Sequence, residues 1–111
     1  MVDNFFQYRY GWEKLHGAVH SLCGVGSLKE RLENAYLYNL LHLTVENDIP
    51  EPVRGRFNEL SQSLTRGRPE GEEGRVHATI IAMDDAELNA AVSEIIGLYD
   101  DLCRYMPIHH Q

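Results

Sequence analysis

The chain has 111 residues, of which 43% are hydrophobic and 24% charged, and its formal net charge is −7. This acidic balance argues against DNA or RNA binding through a basic face, because neutralising phosphates requires clustered Lys and Arg. The length predicts one domain over residues 1–111 with a hydrophobic core. No apolar run approaches the roughly 18 residues of a membrane-spanning helix, and the first residues lack a signal-peptide pattern. We therefore expect a soluble cytoplasmic protein.

The first predicted helix covers residues 4–22 and is rich in aromatic side chains. Its apolar positions recur in alternating steps of three and four, which is the a/d pattern of a helix that packs along its length on another helix. Gly11 and Gly17 each lower helix propensity by about 1 kcal/mol and predict positions of close helix approach. The stripe consists of Phe5, Tyr8, Trp12, Leu15, Val19 and Leu22.

The second predicted helix covers residues 27–44. Ser27 and Glu30 have the spacing of a capping box, in which each side chain accepts a hydrogen bond from the other residue's backbone N–H. Leucines then occupy so much of the helix circumference that it needs neighbours on more than one side. This pattern predicts the central helix of the domain.

Three further helices are predicted at residues 52–66, 73–82 and 85–105, the last opening with a second capping box at Asp84 and Glu87. Residues 44–52 form a connector, residues 67–74 a glycine-rich surface loop, and residues 107–111 a flexible C-terminal tail. No alternation typical of strands is present. The predicted fold class is all-α, a small bundle of four to five helices, mostly antiparallel neighbours, with the first, second and last helices forming the main core.

One group of side chains has the spacing of metal ligands. His16, His20 and Cys23 follow one another at i, i+4 and i+7 on one helix face, and Glu13 completes a Glu-x-x-His motif. Zinc or another transition metal accepts imidazole and thiolate together, and Cys103 or Asp100 of the last helix could add a ligand. The competing interpretation is that the histidines are half-exposed residues beside the core stripe, since no second Glu-x-x-His and no Cys-x-x-Cys is present.

The two cysteines, Cys23 and Cys103, are too few for the disulfide framework of a small secreted domain. Each lies near a predicted helix end, so a disulfide or a redox-active thiol is one interpretation. Buried, unpaired cysteines in a reducing compartment are the other.

The aromatic side chains of the first helix predict a protein interface. Phe6 and Tyr10 lie off the a/d face that carries Phe5 and Trp12, so the helix has more aromatic surface than one stripe requires. Exposed aromatic residues are enriched in protein interfaces. The alternative is a first helix buried on two sides within one subunit.

No catalytic set can be assigned, because the sequence lacks a nucleotide-binding glycine loop and a Gly-x-Ser-x-Gly elbow. We therefore expect a non-enzymatic protein–protein interaction or regulatory module. It would contact a protein partner or itself, as a homodimer, through Phe5, Phe6, Tyr10 and Trp12. The first alternative is a metal- or redox-linked helical protein using the His16, His20 and Cys23 face. The second alternative, an acidic decoy of nucleic acid, rests on charge alone.

Overall fold

The computed structural model describes residues 2–67 and 71–107, without the side chains of residues 2–6, 72 and 73. All regular secondary structure in these residues is helical, which confirms the predicted all-α class, and no described helix is long and apolar enough to cross a membrane. The predicted tail at 107–111 lies outside the described residues except for Pro107. The elements are α1 (Val2–Leu22), α2 (Leu28–Tyr38), a 3-10 turn (Leu40–His42), α3 (Val45–Asp48), α4 (Glu51–Leu64), α5 (Glu72–Ile81) and α6 (Asp85–Cys103).

Both predicted capping boxes are present. Ser27 Oγ accepts from the Glu30 backbone N–H at 3.1 Å, and Glu30 Oε1 accepts from the Ser27 N–H at 2.8 Å. At the start of α6, Asp84 Oδ1 accepts from the Glu87 N–H at 2.8 Å, and Glu87 Oε1 accepts from the Asp84 N–H at 3.0 Å. These reciprocal bonds satisfy N–H groups that have no partner inside the helix, and they define where α2 and α6 begin.

The second predicted helix is shorter than expected, since α2 ends at Tyr38 instead of residue 44. Asn39 leaves helical geometry, with φ −130° and ψ −67°, and its side-chain amide donates to Ser21 Oγ at 3.4 Å. The predicted connector also contains a helix, α3. The Asp48 carboxylate holds this helix by accepting from the Thr44 backbone N–H at 2.8 Å and from the Thr44 hydroxyl at 3.2 Å.

The core lies where α1 packs on α2 and α6, as predicted, and α4 and α5 close it from the other sides. On α5, His77 Nδ1 lies 2.9 Å from Glu33 Oε1 of α2, and Lys29 Nζ donates to the Ile81 carbonyl at 2.7 Å. Burying apolar side chains of this size contributes about 1.5–3 kcal/mol each. The fully buried positions include Leu15, Leu32, Leu40, Ile49, Leu64, Ile80, Ile95, Leu98 and Leu102.

Two glycines of α1 allow the close approach that the sequence predicts there. A side chain at Gly11 would overlap the backbone carbonyl oxygen of Asp48, and one at Gly17 would overlap Oδ1 of Asn39. The segment that follows α2 therefore lies directly against α1, and this contact explains why the chain turns at Asn39.

Candidate functional site

α1 and α6 run antiparallel, and aromatic side chains line the solvent edge of their contact. Tyr8 meets Tyr105 with ring centroids 5.9 Å apart in an edge-on arrangement. Further along, the Trp12 ring lies 6.0 Å from that of Tyr99, and its indole N–H donates to Cys103 Sγ at 3.3 Å. We call this surface the aromatic seam: Tyr8, Trp12 and His16 of α1, with Tyr99, Cys103 and Tyr105.

The helical repeat explains why these residues form one strip. Tyr8, Trp12 and His16 are four residues apart on α1, and Tyr99 and Cys103 are four apart on α6, so each set lies on one helix face. All of them are half-buried, because the deeper positions of the same helices, such as Leu15 and Leu98, fill the core. The strip is thus the exposed border of the α1–α6 contact.

His16 is an aromatic packing element of the seam. Its ring stacks on Trp12 with centroids 5.0 Å apart and an interplanar angle of 18°, and lies 5.7 Å from the Tyr99 ring. The exposed His20 ring follows at 4.5 Å from His16. The structure therefore brings the two predicted histidines together, with one of them packed between aromatic rings.

The other predicted metal ligands do not join this pair. Glu13 accepts a hydrogen bond from Arg9 at 3.1 Å, Cys103 faces Trp12, and Cys23 is exposed at the end of α1. Within residues 2–67 and 71–107, no three His, Cys, Asp or Glu side chains form a group that could hold a metal ion. His16 and His20 thus offer a metal two imidazoles, and the metal hypothesis stays a prediction.

The structure overturns the disulfide interpretation, since both cysteines are free. Cys103 contacts Trp12, which precedes Cys23 by eleven residues on α1 and is therefore about 16 Å from it along the helix axis. A disulfide requires Cα atoms within roughly 7 Å. The two thiols therefore lie too far apart along α1 to pair within one chain.

Tyr99 is a residue of the seam whose pKa is shifted by its surroundings. Partial burial raises its pKa above the ordinary value of 10.0, and a hydrogen bond with Cys103 and the charges of Cys103 and Asp100 raise it further. The phenol therefore keeps its proton into alkaline solution, and the seam stays an uncharged aromatic surface at that position.

The predicted interface residues divide between two sides of α1. Trp12 is half-buried in the seam, whereas Tyr10 is 44% exposed two residues away, with Lys14 Nζ 5.6 Å from its ring centroid. The side chains of Phe5 and Phe6 lie outside the described part of the structure. The seam, rather than the whole first helix, is the aromatic surface that the structure describes.

The sequence reasoning missed the contribution of α6. A second row of apolar residues lies beside the core-facing row of α6. Its members are spaced four, three and four residues apart, a pattern that indicates a further apolar helix face. Ile96, three residues before Tyr99 and on the same side of the helix, is 49% exposed. The second row consists of Val92, Ile96, Tyr99 and Cys103.

No protein-family model, curated protein or solved structure matches the chain.

Proposed function

We propose that the chain is a non-enzymatic protein-binding module whose contact surface is the aromatic seam with Ile96 beside it. The observation that supports this proposal is the half-exposed Trp12, held between His16 and Tyr99 by ring contacts and bound to Cys103. Trp and Tyr in a fixed arrangement bury a large area on binding at a small cost in conformational entropy. The packing of these rings pre-organises them for such a contact.

The partner that this surface fits best is a second copy of the chain. In a two-fold dimer the same patch of each subunit meets itself, so charges within the patch oppose like charges. The six seam residues and Ile96 include no Asp, Glu, Lys or Arg, although the chain as a whole carries a net charge of −7. Self-association through the seam therefore brings fewer like charges together than the rest of the acidic surface would, with Asp100 beside Tyr99 as a carboxylate at its edge.

Sedimentation equilibrium of two matched variants tests the proposal. Ile96→Ser removes an exposed apolar side chain beside the seam, and Ile81→Ser removes one of similar exposure, 49% against 55%, on α5. A serine within the interface should weaken dimerisation about tenfold, whereas Ile81→Ser should leave it unchanged. A monomer at all concentrations, or an equal effect of the two variants, would contradict the proposal.

The alternatives receive less support from the described residues. A metal- or redox-linked function would rest on the His16 and His20 pair and on Cys103, without a third converging ligand. An acidic decoy needs dense unpaired carboxylates, yet four of those described here form ion pairs with arginines: Glu13, Glu87, Glu94 and Asp101.

A further inference from the structure

A second surface lies on the other side of α6, where this helix packs against α4. Between them is a groove of about 310 Å³ whose apolar lining consists of a leucine, a methionine and two alanines. A neighbouring cavity of about 250 Å³ shares Arg66, Met83 and Glu87 with it and extends it toward α5. We call this surface the α4–α6 groove. The apolar residues of its lining are Leu60, Met83, Ala90 and Ala91.

The groove is independent of the aromatic seam. Tyr99 of the seam and Ala90 of the groove are nine residues apart on α6, which at 100° per residue places them half a turn from each other. A partner in the groove therefore leaves the seam free, and the two surfaces can be tested separately.

Ion pairs from α6 to Arg56 of α4 and to Arg66, two residues beyond the end of α4, mark the two ends of the groove. At one end Arg56 Nε lies 3.3 Å from Glu94 Oε1, and its guanidinium also pairs with Asp101. At the other end Arg66 Nη2 lies 3.8 Å from Glu87 Oε2. The buried side chains of the two helices, such as Leu60 and Ile95, hold them together in the core, so the space between them is part of the folded structure.

The charged residues that line the groove favour a cationic ligand. Glu59, Glu87 and Glu94 line the groove. Glu94 is paired with Arg56 and Glu87 with the largely exposed Arg66, so one carboxylate of the lining, that of Glu59, is left without a cation within the described residues. A Lys or Arg side chain of a ligand would complement this carboxylate, whereas an anionic ligand would meet like charges in a partly desolvated space.

We propose that the α4–α6 groove binds a cationic amphipathic helix of a partner protein. A groove between two helices with an apolar lining accepts side chains spaced at i, i+3 and i+4 from an amphipathic helix, and a volume of about 310 Å³ accommodates one or two large aliphatic side chains of the ligand. A flanking Lys or Arg residue of the same ligand reaches Glu59, the groove carboxylate without an ion pair within the described residues. Because the side chain of Ala90 is small, it leaves the space that the aliphatic side chains of the ligand fill.

Fluorescence anisotropy with a labelled synthetic helix of about 14 residues, four turns of Leu and Lys in amphipathic order, tests this proposal. Ala90→Leu fills the groove without changing the charge and should raise the Kd about tenfold. Ala86→Leu, at another exposed alanine of α6 outside the groove, is its matched control and should leave the Kd unchanged. The same helix with Glu in place of Lys should not bind.

A second pair of variants distinguishes the effect of a carboxylate inside the groove on peptide affinity from the effect of the net charge of the protein. Glu59→Gln should raise the Kd about threefold, and Glu46→Gln, an exposed glutamate of α3, should not change it. Ile96→Ser should leave the Kd of the peptide unaltered, so failure of the seam proposal is distinguishable from failure of this one. Absence of saturable binding, or equal effects of Ala90→Leu and Ala86→Leu, would overturn the proposal.

Discussion

The indole N–H of Trp12 donates to the sulfur of Cys103 at 3.3 Å and joins the first and last helices at the solvent edge of their contact. The bond gives the only tryptophan of the chain a fixed position, with His16 stacked on one side. It also gives Cys103 a local partner, whereas Cys23 is exposed just beyond the end of α1. Trp12 is thus the centre of the surface that we propose to bind protein.

We predict that the two cysteines differ in their effect on stability. Cys103→Ala leaves the half-buried Trp12 N–H without its partner and should lower the free energy of unfolding by about 0.5–1 kcal/mol, whereas Cys103→Ser, which keeps an acceptor, should cost less. Cys23→Ala is the control and should change stability little. Urea denaturation measures all three, and equal losses for Cys23→Ala and Cys103→Ala would show that the Trp12 contact does not contribute.

Two glycines should respond to alanine in opposite directions. At Gly11 the new methyl group would overlap the Asp48 carbonyl, so Gly11→Ala should destabilise the protein by about 1–3 kcal/mol. At Gly55 of α4 nothing lies within 4 Å, and Gly55→Ala should stabilise it by about 0.5–1 kcal/mol through helix propensity. Thermal and urea unfolding of both variants measure these changes. Stabilisation by Gly11→Ala would contradict the close approach of α3 to α1.

The raised pKa of Tyr99 predicts a loss of stability in alkaline solution. Above pH 10.0, the ordinary value, the unfolded chain releases this proton before the folded chain does, so the free energy of unfolding falls as pH rises toward the folded pKa. Tyr99→Phe should remove this part of the loss. The measurement compares unfolding at about pH 8 and about pH 11 for wild type, Tyr99→Phe and Tyr38→Phe, whose tyrosine is 68% exposed. Identical pH dependence in all three would contradict the account of Tyr99.

Elemental analysis of protein purified under reducing conditions without chelator tests the metal hypothesis. Because only His16 and His20 come together, we expect less than one equivalent of bound metal, since structural zinc usually requires four ligands. One full equivalent that disappears in the His16→Ala, His20→Ala double variant would make the metal function primary.

The starts of α2 and α6 could be predicted because their signals are local, whereas α3 has no such signal and was not predicted. Each capping box lies within four consecutive residues, and the resulting bonds at Ser27 and Asp84 form as the spacing requires. The end of α2 could not be predicted in this way. Asn39 leaves the helix where its side chain meets Ser21 and Gly17 of α1, and a contact between residues so far apart in the chain leaves no periodic signal.

The part of the candidate site that lies on α1 could be predicted because its signal, the spacing of residues within one helix, is also local. The a/d stripe of the first helix indicated Trp12, and its spacing placed His16 beside His20. The contribution of α6 depends on the register of two antiparallel helices, which brings Tyr99 and Cys103 opposite Trp12. Sequence spacing within α6 indicates a second row but does not specify which turn of α1 it meets.

The most direct test of the seam is a concentration series of amide NMR spectra of the ¹⁵N-labelled protein. If two copies associate through the seam, resonances that shift with concentration should cluster between Tyr8 and His20 and between Ile96 and Tyr105, and Ile96→Ser should suppress the shifts. Shifts confined to other helices, or spectra that do not change while the protein remains monomeric, would contradict the proposal that the seam binds a second copy.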